Sequence, residues 1–172
     1  MGERVIFLDR DGVINAKAPE GDYIKSVAEF KFLPDIFEAV RIFNACGFKV
    51  IVVTNQRGIA RGIMNEHDLA EIHEYLTAQM KMNDAAIDEI FYCPHNIGEC
   101  TCRKPDIGMF LMAEKIFLID KKNSFVIGDS RTDIQAGNNY GVRSIKIGAP
   151  VSGAWKCFEN LLDAANHIAS LY

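Results

Sequence analysis

Asp9 and Asp11 stand two residues apart where the first apolar run of the chain turns polar, in FLDRDGVIN. In extended backbone, side chains at i and i+2 point the same way, so both carboxylates can face one pocket. Gly12 lets the chain turn away sharply after them. A later apolar run ends in VIGDSRTD, with Asp129 and Asp133, and another in VVTNQRG, with Thr54 and Asn55. Carboxylates gathered at one place repel one another, and a divalent cation relieves this; hard oxygen ligands suit Mg²⁺. Such a site with hydroxyl, amide and lysine donors beside it suits phosphate. The cation and a lysine neutralise the phosphoryl oxygens while a carboxylate attacks phosphorus. A second carboxylate next to the first is expected to have its pKa raised by that neighbour and to serve as general acid.

A second cluster has another character. Cys93, His95, Cys100 and Cys102 form C-x-H-x4-C-x-C, three of the chain's five cysteines and a histidine within ten residues. Thiolate and imidazole favour tetrahedral Zn²⁺, and four protein ligands leave no open position, which predicts a structural zinc site over 93–102. The loop runs directly into Arg103-Lys104-Pro105, so the expected task of the metal is to hold the segment that presents Arg103 and Lys104 to the phosphate pocket. Cys46 and Cys157 fall on apolar helical patterns and are expected to be buried thiols.

The elements that must position these groups alternate. Strands are predicted at 5–9, 49–55, 88–93, 124–129 and 142–148, and helices at 34–44, 66–82, 106–117, 132–139 and 157–169. This predicts an α/β fold, a doubly wound, Rossmann-like parallel sheet whose ligands sit beyond the carboxyl ends of the strands. Residues 16–33 form the longest loop and could overhang the site. The spacing of the motifs leaves no room for an inserted cap domain. His67 and His73 fall near a polar helix face and are expected to be solvated.

The 172 residues, 49% hydrophobic and 24% charged, suit one domain over 1–172. A net charge of −4 with no basic-aromatic stripe argues against a nucleic-acid partner. No apolar run near membrane-spanning length and no signal peptide is visible, so the expectation is a cytoplasmic protein without a membrane partner. No surplus apolar helix is evident, and a monomer is expected. A phospho-accepting signalling domain would share the parallel sheet with Asp, Thr and Lys. There, however, the acceptor follows a middle strand, whereas Asp9 follows the first.

DRDG, VVTN, RKP and GDSRTD resemble the four motifs of the haloacid dehalogenase-like (HAD) phosphatases. The resemblance implies Mg²⁺ and an aspartyl-phosphate intermediate. Asp9 would be nucleophile and Mg²⁺ ligand, and Asp11 general acid and then base, touching Mg²⁺ through its carbonyl. Asp129 would be the third Mg²⁺ contact, with Asp133 behind it. Thr54 and Asn55 would hold the phosphoryl group and Lys104 would neutralise it. CPH…CxCRKP with DRDGVIN and TNQRGIARG is similar to the D,D-heptose 1,7-bisphosphate phosphatases, with histidinol-phosphate phosphatases as close relatives. That likeness implies removal of the C7 phosphate of D-glycero-D-manno-heptose 1,7-bisphosphate, a lipopolysaccharide precursor, with histidinol phosphate as the alternative substrate. It also implies Arg103 as a substrate contact, with Gln56, Arg57, Ser130, Gly21, Asp22 and Tyr23 as further ones.

Overall fold

The computed structural model describes residues 2–172. Val5–Leu8 (β1) is completely buried, and its side chains divide between the two faces of the sheet, Ile6 and Leu8 to one and Val5 and Phe7 to the other. The same alternation runs through Lys49–Asn55 (β2), where Val50 and Val52 oppose Ile51 and Val53. Strands buried on both faces read as continuous apolar runs, and this is why the parallel sheet was legible. Glu89–Cys93 (β3), Phe125–Gly128 (β4), Arg143–Ile147 (β5) and Lys156–Phe158 (β6) complete six parallel strands in the order β3-β2-β1-β4-β5-β6.

Helices Ile36–Ala45 (α1), Glu66–Met82 (α2) and Leu161–Ala169 (α5) cover one face through Phe43, Leu76 and Ile168. Gly108–Ala113 (α3) and Arg131–Tyr140 (α4) cover the other, where Phe110 and Tyr140 stack at 4.9 Å between centroids. The chain leaves β1, builds outward to β3, and returns to place β4 against the free side of β1. The reversal of direction lies between β1 and β4, and that is where the topology opens a crevice. No cap domain stands over the strand ends among the described residues.

Several sequence expectations need correction. The segment at 157–169 is not one helix. Residues 156–158 form the edge strand β6, which leaves Cys157 exposed, and α5 starts after Asn160, whose side chain accepts from Asp163 N–H. Cys46 is only half-buried, at the C-terminal cap of α1. The helix expected at 106–117 is confined to 108–113. The loop 16–33 does reach the strand ends through Lys17, and the rest of it packs on the body. Ala16 N–H donates to the Lys31 carbonyl, and Phe30 and Phe32 each lie 6.0 Å from the ring of Tyr75 on α2.

Candidate active site

The crevice is built by two tight departures from the sheet. At the end of β1, Asp9 N–H still donates to Ile127 of β4 at 3.0 Å, and the next residues curl so that the Arg10 carbonyl accepts from Val13, Ile14 and Asn15. Gly12 has φ +92°, and a Cβ there would meet Asp129 Oδ2 at 2.2 Å. Only glycine lets the β1 turn and the β4 end come so close. At the end of β4, a Cβ on Gly128 would meet the Asp133 side chain at 2.2 Å. Asp133 closes a capping box at the start of α4. Its carboxylate accepts from Ser130 N–H at 2.9 Å and from Ser130 Oγ at 2.6 Å.

Lys104 ties the two departures together. Its buried Nζ donates to Asp9 Oδ1 at 2.9 Å, Asp133 Oδ1 at 2.6 Å and the Val53 carbonyl of β2 at 2.6 Å. Burial opposes its charge, but Asp133 and Asp9 outweigh burial and hold the ammonium firmly protonated. Asp133 is held ionised by Lys104 and Ser130 against its own burial. Asp9 goes the other way. Burial and the neighbouring Asp133 push its pKa up to about 7 in spite of Lys104.

Asp11 departs from expectation. Its carboxylate is gripped by Arg10 through contacts of 2.9–3.2 Å, by Asn15 Nδ2 at 2.8 Å and by Gln56 Nε2 at 2.9 Å. Burial alone would raise its pKa, yet the Arg10 charge and these donors hold it below the usual value. The predicted rise caused by a neighbouring carboxylate falls on Asp9 instead. Arg10, completely buried, and Lys17, whose Nζ lies 2.6 Å from Asp129 Oδ2, are site residues that sequence reasoning missed. The only hint was the position of Arg10 between the two aspartates. His73 is only partly exposed. Its Nε2 lies 3.2 Å from Arg10 Nη1, and burial with the Arg10 charge lowers its pKa to about 3.

A cleft of about 190 Å³ opens here, lined by Asp9, Asp11, Lys17, Asn55, Lys104, Asp129, Ser130, Thr132 and Asp133. Carboxylate oxygens of Asp9, Asp129 and Asp133 lie within 4.8 Å of one another, and Asp129 Oδ1 is buried without a partner. Converging hard oxygens with an unmet lone pair fit a divalent cation. The Asp11 carboxylate is outside this set, which leaves its main-chain carbonyl for such a contact. Asn55 lines the cleft but spends its side chain on the Lys104 backbone. Buried Thr54 accepts from Gln56 at 2.9 Å.

The other predicted contacts lie further out. Ser130 lines the cleft, but its hydroxyl is engaged by Thr132 and Asp133. Arg57 donates to Asn96 of the cysteine loop at 3.0 Å. Gly21 and Tyr23 lean on Arg61 and Gly58, and Asp22 pairs with Lys25, so none of the three lines the carboxylate cleft. Arg103 is half-buried, with Nη1 unpartnered.

Cys93, His95, Cys100 and Cys102 converge as predicted. The sulfurs are 3.0–3.4 Å apart, and His95 Nδ1 lies 3.3 Å from Cys102 and 3.6 Å from Cys93. Sulfurs bound tetrahedrally at zinc distances would be about 3.8 Å apart, so a small expansion of this cluster accepts the ion.

Known proteins resemble this chain in sequence and fold. The HAD-hydrolase-like family pattern matches residues 101–154. The D-glycero-alpha-D-manno-heptose-1,7-bisphosphate 7-phosphatase of Campylobacter jejuni is 43% identical over 139 residues, 81% of this chain and 78% of that one. The D-glycero-beta-D-manno-heptose-1,7-bisphosphate 7-phosphatase of Haemophilus influenzae is 36% identical over 160 residues, 87% and 85% of the two chains. The crystal structure of D,D-heptose 1,7-bisphosphate phosphatase from B. bronchiseptica, complexed with magnesium and phosphate, superposes with a TM-score of 0.90 at 28% identity, covering 98% of this chain and 99% of that one. With its six parallel strands, its carboxylate crevice and its cysteine loop, the chain belongs to the heptose-1,7-bisphosphate 7-phosphatase family of HAD-like hydrolases.

Proposed function

We propose that this protein is a Mg²⁺-dependent phosphatase that removes the C7 phosphate of D-glycero-D-manno-heptose 1,7-bisphosphate and acts as a monomer. The observation that carries the reading is the Asp9 carboxylate, which faces the cleft with one oxygen held by Lys104 and a second aspartate two residues on. Mg²⁺ on Asp9, Asp129 and the Asp11 carbonyl supplies charge neutralisation of the phosphoryl oxygens. Lys104 fixes the Asp9 oxygen and adds a second positive charge. The free oxygen of Asp9 attacks phosphorus, the bond from phosphorus to the C7 oxygen breaks, and that oxygen takes its electron pair and a proton from Asp11. Water then attacks the aspartyl phosphate, gives a proton to Asp11, and phosphate leaves with Asp9 restored. The negative charge of the bound phosphate offsets the hold of Arg10 on Asp11 and favours its protonated form at the first step.

Zn²⁺ on Cys93, His95, Cys100 and Cys102 holds the segment that delivers Arg103 and Lys104. The relatives from Campylobacter jejuni and Burkholderia mallei, at 43% and 40% identity, are named for the alpha anomer, and those named for the beta anomer are at 33–37%. This favours the alpha bisphosphate. The test is phosphate release with Mg²⁺ from both anomers and from histidinol phosphate. Faster turnover of the alpha heptose, lost by at least about 10⁴-fold in Asp9→Asn, is expected. Turnover of histidinol phosphate alone would overturn the substrate.

A further inference from the structure

The cleft contains two ammonium groups of opposite character. Lys104 is buried, and three acceptors hold it in place. The Lys17 side chain is half-exposed, with one partner, Asp129 Oδ2. Its backbone is anchored just upstream, where Asn15 N–H donates to the Arg10 carbonyl and Ala16 N–H to the Lys31 carbonyl. Its stem lies across the Gly12 turn, so close that a Cβ on Gly12 would sit 2.6 Å from Lys17 Cε. Lys17 also lines the neighbouring cavity of about 480 Å³, shared with Asp22 and Tyr23. A swing of the four-carbon stem therefore carries the charge from Asp129 across the mouth of the cleft without moving the chain.

Charge decides what that swing is for. With Asp11 balanced by Arg10, the carboxylates of Asp9, Asp129 and Asp133 face Lys104 and Lys17, and with all three carrying their charge the cleft is one charge negative. A divalent cation makes it one charge positive. Without Lys17 the cation-loaded cleft would only reach zero. Lys17 thus supplies the surplus that attracts a phosphate dianion. It touches Asp129 Oδ2, while the unpartnered Oδ1 is left to a divalent cation, so ammonium and cation meet as like charges on one carboxylate.

We propose that Lys17 is a mobile counter-charge: it and a divalent cation repel one another at the Asp129 carboxylate, and with the cation bound Lys17 turns to the phosphate of the substrate. This rests on the phosphatase reading given above. Such repulsion and attraction predict opposite effects on the two ligands, whereas a merely structural lysine would move both the same way or neither.

The test uses the full chain and the variants Lys17→Met and Lys17→Arg. Mg²⁺ affinity is read by calorimetry without substrate, and inorganic phosphate affinity by calorimetry at saturating Mg²⁺. In Lys17→Met, Mg²⁺ should bind on the order of fivefold tighter and phosphate on the order of fivefold more weakly, the fold-change of one modest ion pair. Lys17→Arg should keep both within about twofold of the parent, since it retains the charge. Any other combination in Lys17→Met, including two unchanged affinities or two that fall together, overturns the proposal. If the parent protein fails to turn over any heptose bisphosphate, the substrate reading fails, yet both titrations still score Lys17.

Discussion

Asn55 and Lys104 exchange two hydrogen bonds across the floor of the cleft. Asn55 Nδ2 donates to the Lys104 carbonyl at 3.1 Å, and Asn55 Oδ1 accepts from the Lys104 N–H at 3.0 Å. The end of β2 thereby fixes the backbone of the residue whose side chain grips Asp9 and Asp133. Asn55, expected at the phosphoryl group, lines the cleft while its side chain is bonded to the lysine backbone.

Removing that clamp should cost more in rate than in stability. Asn55→Ala leaves the Lys104 backbone groups to water and loosens Nζ relative to Asp9. Stability should fall by about 1–2 kcal/mol and kcat by roughly 10²-fold, the penalty of misplacing a catalytic group by an ångström or so. Steady-state kinetics beside urea unfolding separates the two. A kcat within threefold of the parent would show that Lys104 is held without Asn55.

The burial of His73 against Arg10 should make the protein acid-sensitive. Burial and Arg10 keep His73 neutral, with its pKa near 3 against an ordinary 6.5. Between those values the unfolded chain binds a proton that the folded chain refuses, so this contribution to stability is complete above pH 6.5 and declines as the pH falls towards 3. From pH 7 to pH 5 the loss amounts to about 2 kcal/mol. His73→Gln keeps an acceptor for Arg10 without a titrating ring and should flatten that decline. Urea unfolding of both proteins at pH 7 and pH 5 checks it, and parallel declines would refute it.

The cysteine loop should matter to catalysis only through what it holds. Cys100→Ala is expected to lose bound zinc and at least about 2 kcal/mol of stability, roughly 4–8 °C in Tm for a chain of this size. Activity should drop about tenfold, because Arg103 and Lys104 follow the loop directly. Metal analysis, a thermal scan and kinetics suffice. A zinc-free variant with unchanged Tm and rate would leave the cluster without a structural task.

Much of the fold could be read from the chain because the central strands are buried on both faces and carry unbroken apolar runs. β6 escaped because it is a three-residue edge strand with exposed Lys156 and Cys157, which leaves no periodicity to detect. Asp9, Asp11, Asp129 and Lys104 could be picked out because strand ends and motif spacing bring them together whatever the details. Arg10 could not. It is buried against groups distant in sequence, among them His73 63 residues away, and an arginine between two aspartates otherwise reads as a solvated charge. The resting charge of Asp11 was misjudged for the same reason. Lys17 lies in a loop with no periodic pattern, and its partner is fixed only once β4 is in place.

The insertion of β4 beside β1 also sets the order in which the molecule can become competent. Asp9 is made well before Lys104, 95 residues later, and before Asp129 and Asp133, all of which must follow before its pocket has a second wall. A growing chain can pair β1 with β2 and β3 long before it has any grip on a cation or a phosphate. Such distant pairings are slow to form. The carboxylate cleft therefore cannot assemble until the segment that carries Asp133 has been made and β4 has docked beside β1.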